Sequence, residues 1–198
     1  MKNERYSMSF TTGGLFQRES VKLAVLFLAF KDWNAVRDKV LSENSLQART
    51  LSTSKRLCRE IISRLKTLDS GEIDLVVHGS SQEQKYLLWI AVCRRYTFIS
   101  EFAIEVVRER YISLQADLHY EDFDAFFNKK ADLRDELDEL RPASRNKLRQ
   151  VLFKMLREAD LLNANNNING AQLNPRLLKS ISRDACQAVL VFPTFDQT

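Results

Sequence analysis

Apolar positions recur with helical spacing along most of the chain, and the pattern is clearest between Ser144 and Leu162. There Leu148, Val151, Leu152, Met155, Leu156 and Leu162 fall on one stripe. Arg145, Asn146, Lys147, Arg149, Gln150, Lys154 and Arg157 carry the remaining surface, which is the pattern of an amphipathic helix. A shift of 90 residues lays Ser54–Leu65 under this segment without a gap. Ser54 falls under Ser144, Arg59 under Arg149, Ile61-Ile62 under Val151-Leu152, and Leu65 under Met155.

The same reasoning predicts the other elements. Residues 1–12 form a loose polar arm, and Thr11-Thr12-Gly13-Gly14 opens a helix running to Phe30. Asp32 caps a second helix, Trp33 to Glu43, with Trp33, Val36 and Val40 inward. The first basic helix is capped by Thr53 or Ser54. A short apolar element over 73–77 closes at Gly79, and overlapping capping boxes in Ser80–Gln84 open a helix apolar around most of its circumference. A long helix follows from Tyr96, with a break near Thr97, and then a short one from Glu121 to Lys130. Beyond the acidic stretch 132–139, Pro142 suits the first turn of the second basic helix. The run after Leu162 predicts a turn or small hairpin with Asn169-Gly170 at its tip. Asn174-Pro175 opens a last short helix, and the tail from Val189 to Thr198 either adds a strand or packs.

The 90-residue register extends further. Over 18–65 against 108–155 there are 8 identities, among them Asp32 with Asp122, Ala35 with Ala125 and Lys39 with Lys129. Trp33 faces Phe123. Each copy then reads as helix, short helix opened by Asp-aromatic, connector and Ser-capped basic helix, the order of a helix-turn-helix unit. The predicted fold is all-α, mainly helical, with two tandem helix-turn-helix-like units and a small β hairpin or wing near the C-terminus. The predicted division is 1–79, holding the first such unit, and 80–198, holding long central helices and the second.

Composition fits a globular helical chain: 44% hydrophobic and 28% charged, with 5 Gly and 3 Pro in 198 residues. The net charge of +4 permits a polyanionic partner without requiring one. Its distribution is lopsided. Residues 49–66 hold six Lys/Arg against one acid and 141–160 hold six against two, whereas 132–139 are acidic. On a helical wheel Asn146, Gln150, Phe153 and Arg157 point away from the second stripe, and Arg56, Glu60 and Ser63 from the first. The nucleic-acid candidates are therefore Ser54, Lys55, Arg56, Arg59 and Arg64 in the first copy. In the second they are Ser144, Arg145, Asn146, Lys147, Arg149, Gln150 and Lys154. Early Arg, Asn and Gln side chains suit base edges, while Ser hydroxyls and the other cations suit phosphates. A protein-interaction module with a charged outer face accounts for the same pattern.

Catalytic signatures are lacking. There is no Gly-rich phosphate loop, no GxSxG and no HExxH, and His78 and His119 stand alone. Glu121, Asp122 and Asp124 fit helix capping better than a Mg²⁺ site. Cys58, Cys93 and Cys186 form no CxxC and read as reduced core residues. The most apolar run, Leu23–Phe30, is far shorter than the roughly 20 residues of a bilayer span. The expectation is a cytoplasmic protein without enzymatic activity, cofactor, small-molecule substrate or membrane partner.

A set of segments carries a family resemblance: SFTTGGLFQRES, KDWNAVRDKV, LQARTLSTSKRLCREIISRL, EQKYLLWIAVCRRYTFISEFAIEVVRERY, DFDAFFNKK and RNKLRQVLFKMLREADLL. Together, over about residues 6–180, they resemble the BrxA family, the small accessory component of BREX bacteriophage-defence systems. The resemblance implies a non-enzymatic helical protein that works with the BREX methyltransferase and other BREX components in host DNA methylation and phage exclusion. It also implies double-stranded DNA binding through helix-turn-helix-like elements, which map onto 52–66 and 143–158. The alternatives are a protein–protein adaptor within the BREX complex and an RNA-binding helical bundle resembling antitermination factors.

Overall fold

The structure, a computed structural model, describes residues 5–181 and 185–195, with the side chains of 185 and 186 excepted. The described residues are mainly helical, with no β-strand among them, and they divide into two compact units, 15–95 and 5–14 with 96–181 and 185–195. Each unit contains one of the two basic helices. The position 79/80 falls between two helices that both belong to the 15–95 unit.

In the 15–95 unit the elements are α1 (Gln17–Phe30), α2 (Trp33–Ser42), α3 (Leu51–Leu65), α4 (Ser70–His78) and α5 (Ser81–Arg95). α5 is buried continuously from Tyr86 to Cys93, and α1, α3 and α4 pack on it. Its capping box is present as predicted: Ser80 N donates to Glu83 Oε2 at 2.7 Å, and Glu83 N donates to Ser80 Oγ at 3.3 Å. α1 begins at Gln17, after Phe16 in the left-handed region, so Thr11–Gly14 lies ahead of the helix and does not open it. Asp32 caps α2 as predicted, accepting from Asn34 N at 2.9 Å and Ala35 N at 3.3 Å. Losing such a cap costs about 1 kcal/mol. Asp32→Ala is therefore expected to lower the melting temperature by roughly 2–4 °C for a chain of this size. α3 starts earlier than predicted, because Thr50 provides the cap by accepting from Thr53 N at 3.2 Å, and Ser54 lies inside the helix.

In the other unit α6 (Thr97–Phe102) follows Tyr96, whose extended backbone supplies the predicted break. α6 continues through a π-helical segment, Ala103–Arg108, into α7 (Glu109–Ile112). The helix ends there; Leu114 takes a positive φ of 60° and is 82% exposed. α8 (Tyr120–Ala131), α9 (Asp135–Asp138) and α10 (Pro142–Glu158) follow, with Pro142 in the first turn of α10. Ser144 is inside α10 and does not cap it. The last helices are α11 (Pro175–Ser180), capped by Asn174 as predicted, and α12 (Ala185–Leu190). Val189, Val191 and Phe192 in the tail are buried, and residues 196–198 lie outside the described residues.

An aromatic cluster organises this unit. Phe98 meets Tyr6, Phe123, Phe126 and Phe127 with ring centroids 5.2–5.9 Å apart, mostly edge to face. The arm is thus packed rather than loose over its described part: Phe10 is fully buried, Tyr6 N donates to Glu136, and the Tyr6 hydroxyl donates to Glu101. Burial, together with that carboxylate, pushes the Tyr6 hydroxyl well above its usual pKa.

No strand pair forms the predicted hairpin; two isolated bridges, Leu162 with Ile168 and Asp117 with Asn167, stand in its place. Its turn lies earlier than expected. Asn163 Oδ1 accepts from the backbone of Asn165 and Asn167, and Asn166 takes the positive φ. Gly170 is not the tip; the Tyr111 hydroxyl approaches it so closely that a Cβ would clash.

Candidate nucleic-acid interface

The two basic helices bury the same register. Cys58, Ile61, Ile62 and Leu65 of α3 and their partners Leu148, Val151, Leu152 and Met155 of α10 are all within 8% exposure. On the preceding helices Val36 and its partner Phe126 are buried as well. The apolar stripes therefore do what the periodicity predicted, and the difference between the copies lies on their outer faces.

On α3 Lys55, Arg56 and Arg59, and at its C-cap Lys66, are exposed, and none has an ion pair among the described residues. They line a groove of about 1120 Å³ between α2 and α3. Its apolar floor includes Trp33, Leu41, Leu51 and Ile62, and Leu51 is 58% exposed. Trp33 itself stacks on Phe27 at 4.0 Å. From α2 the groove receives Asn34 and an Arg37–Asp38 ion pair at 2.9 Å. Two candidates are placed elsewhere than predicted. Ser54 is 2% exposed and Arg64 is 3% exposed, with its Nε donating to Glu60 at 2.8 Å and its guanidinium over the Phe16 ring. The i,i+4 pair with Glu60 and the Phe16 ring hold Arg64 folded onto the helix, so it is a packing residue.

On α10 the corresponding cations are engaged. Arg145 donates from Nε to Asp124 Oδ1 at 3.1 Å, from Nη2 to the Asp124 carbonyl at 3.0 Å, and from Nη1 to Asn128 at 2.8 Å. Arg149 is ion-paired with the other Asp124 oxygen. Aromatic rings back both guanidiniums, Phe127 under Arg145 at 4.5 Å and Tyr120 under Arg149 at 4.7 Å. Phe153, placed outward by the helical wheel, is fully buried against Tyr120 at 4.7 Å, because α8 covers that face. Arg157 donates to Asn166 at 2.6 Å. Asn146, Lys147, Gln150 and Lys154 remain exposed, Lys154 with a loose 3.6 Å pair to Glu158; Ser144 is half-buried.

The sequence model of the BrxA family matches residues 4–185. The chain belongs to the BrxA family. It is 30% identical over 160 residues to a "BREX protein BrxA" of Escherichia coli O9:H4 (strain HS), covering 80% of this chain and 75% of that one. A "BREX protein BrxA" of Bacillus cereus (strain H3081.97) is 28% identical over 163 residues, 82% and 81% of the two chains. A crystal structure of an uncharacterized protein from Magnetospirillum magneticum shares the fold, with a TM-score of 0.81 and 21% identity over 95% of this chain and 97% of that one.

Within this BrxA-family fold, periodicity alone missed five polar contributors to the α2–α3 groove: Asn34, Arg37, Asp38, Ser52 and Lys66. The 90-residue alignment held a usable signal for one of them, since it sets Asn34 against Asp124. Among the described residues no helix is long and apolar enough to cross a membrane, and no group of His, Cys, Asp or Glu is arranged to hold a metal ion. Cys58 and Cys93 are buried free thiols, and burial raises the pKa of each; the Cys186 side chain lies outside the described residues.

Proposed function

We propose that this BrxA-family chain is a non-enzymatic accessory protein of a BREX phage-defence system that binds double-stranded DNA through α3. In this reading it supports host DNA methylation and phage exclusion alongside other BREX components. One observation carries the proposal: Lys55, Arg56, Arg59 and Lys66 stand exposed along one helix with no carboxylate partner among the described residues. Uncompensated cations at that spacing are what a phosphate backbone neutralises. With α2 and α3 taking helix-turn-helix roles, Arg56 is the side chain for base edges, and Lys55, Arg59 and Lys66 are for phosphates.

The test is duplex affinity measured across a salt series. Three phosphate contacts give a slope of log affinity against log salt of roughly −3. Affinity insensitive to salt, or a preference for single-stranded RNA over the duplex, would reject the reading.

The apolar floor favours a second reading, an adaptor that docks an acidic segment of another BREX component. Such a segment would cover Leu51 and Trp33 with apolar side chains, which a sugar–phosphate backbone does not supply. An adaptor predicts stable capture of a BREX component together with no binding of bare duplex at moderate salt.

A further inference from the structure

The two units solve one local problem differently, and the difference identifies a subsite. In the second copy the carboxylate of Asp124 sits between Arg145 and Arg149 and binds both. A shift of 90 residues replaces these three by Asn34, Lys55 and Arg59. All three line the open α2–α3 groove. The aromatic packing is replaced as well: Phe127 becomes Arg37 and Phe153 becomes Ser63, both at the same groove. One copy thus holds two cations, an anion and rings to back them. The other holds two cations unpaired among the described residues and a neutral amide in an open groove, beside an arginine, Arg37, that is paired with Asp38. The carboxylate that is in the groove, Asp38, is already held by Arg37 at 2.9 Å.

We infer that the position between Lys55 and Arg59, beside Asn34, is a subsite for one phosphate of the DNA backbone, and that in the second copy the protein's own Asp124 fills the equivalent subsite. A carboxylate and a phosphodiester both present anionic oxygens that a pair of cationic side chains can clamp. Asn34 adds an amide that donates to such an oxygen, where an aspartate would repel it. The consequence is asymmetry: α3 carries the open head, and α10 carries one in which the two corresponding cations, Arg145 and Arg149, are already neutralised. This inference rests on the DNA reading of α3 and goes beyond it by assigning the subsite and the reason one copy is closed.

The test uses the full chain and a fluorescent duplex titrated across a salt series. Asn34→Asp rebuilds in the first copy the arrangement of the second. Position 34 is exposed in the first turn of α2, where an acid suits the helix dipole, so the variant is expected to fold. It should weaken duplex binding by about 10-fold or more and lower the salt slope by about one to two. Asn34→Ala, which loses the amide donor without adding charge, should weaken binding by only about 3-fold and leave the salt slope unchanged, whereas Ser70→Asp, the same charge change at the start of α4, should bind within about 2-fold of wild type. Asp124→Asn should strengthen binding by about 10-fold and steepen the slope, because Arg145 and Arg149 are released; a melting curve checks that it stays folded. Asn34→Asp binding as wild type does would overturn the subsite even if wild type binds duplex well. Equal losses in Asn34→Asp and Ser70→Asp would reduce it to net charge. Wild type failing to bind duplex at all would reject the DNA reading and the subsite with it.

Discussion

A chain carrying Arg56→Glu and Arg59→Glu is expected to lose duplex affinity by about 100-fold or more at about 0.1 M salt, with its helical circular dichroism unchanged. Each arginine removed takes away one charge-assisted contact, the loss of Arg59 also lowers the salt slope by about one, and each glutamate adds repulsion against the phosphates. The fold has little stake in either side chain. Both are exposed, neither has an ion pair among the described residues, and the stripe that anchors α3 is Cys58, Ile61, Ile62 and Leu65 on the other face. Substitutions at such positions usually move stability by only about 0.5 kcal/mol. Filter binding or anisotropy reads the affinity, and a thermal melt reads the fold. Retained affinity with an unaltered slope would show that α3 is not the DNA head.

What could be read from the sequence, and what could not, follows from the range of the interactions involved. Asp32, Ser80 with Glu83, Pro142 and Asn174 mark helix starts because capping is decided within four residues of chain. The apolar stripes of α3 and α10 were legible for the same reason, since a period of 3.6 needs only the helix itself. The outer faces were not. Arg59 and Arg149 are the same residue type at the same register, and only a residue 25 positions away in sequence, Asp124, makes one of them an internal ion-pair partner. Phe153 fell on the polar side of the wheel, yet α8 covers that side with Tyr120. A wheel has one inside, whereas α10 is buried on two faces. Arg64 was the avoidable error: Glu60 lies four residues before it, a spacing the sequence displays openly. The N-terminal arm escaped because Tyr6 and Phe10 are isolated aromatics, and their partners Phe98, Tyr96 and Glu136 lie about ninety or more residues further along the chain.

Arg149→Glu should behave in the opposite way to Arg59→Glu despite the shared register. The Arg149 side chain is 20% exposed and lies between the Asp124 carboxylate and the Tyr120 ring at 4.7 Å. A glutamate there would face Asp124, remove the ring contact and leave Arg145 to balance two carboxylates. Breaking a fully buried pair costs about 3–5 kcal/mol, and partial exposure of these groups reduces that to about 2 kcal/mol. The expected drop in melting temperature is roughly 4–8 °C, against almost none for Arg59→Glu. Below its melting range the Arg149→Glu protein should bind duplex within about 3-fold of wild type, because its cation was already neutralised by Asp124. Adding Asp124→Asn removes the facing carboxylate and should recover part of the lost stability. If Arg149→Glu instead abolished duplex binding while melting like wild type, the second basic helix would be an open head, and Asp124 would not be holding its arginines.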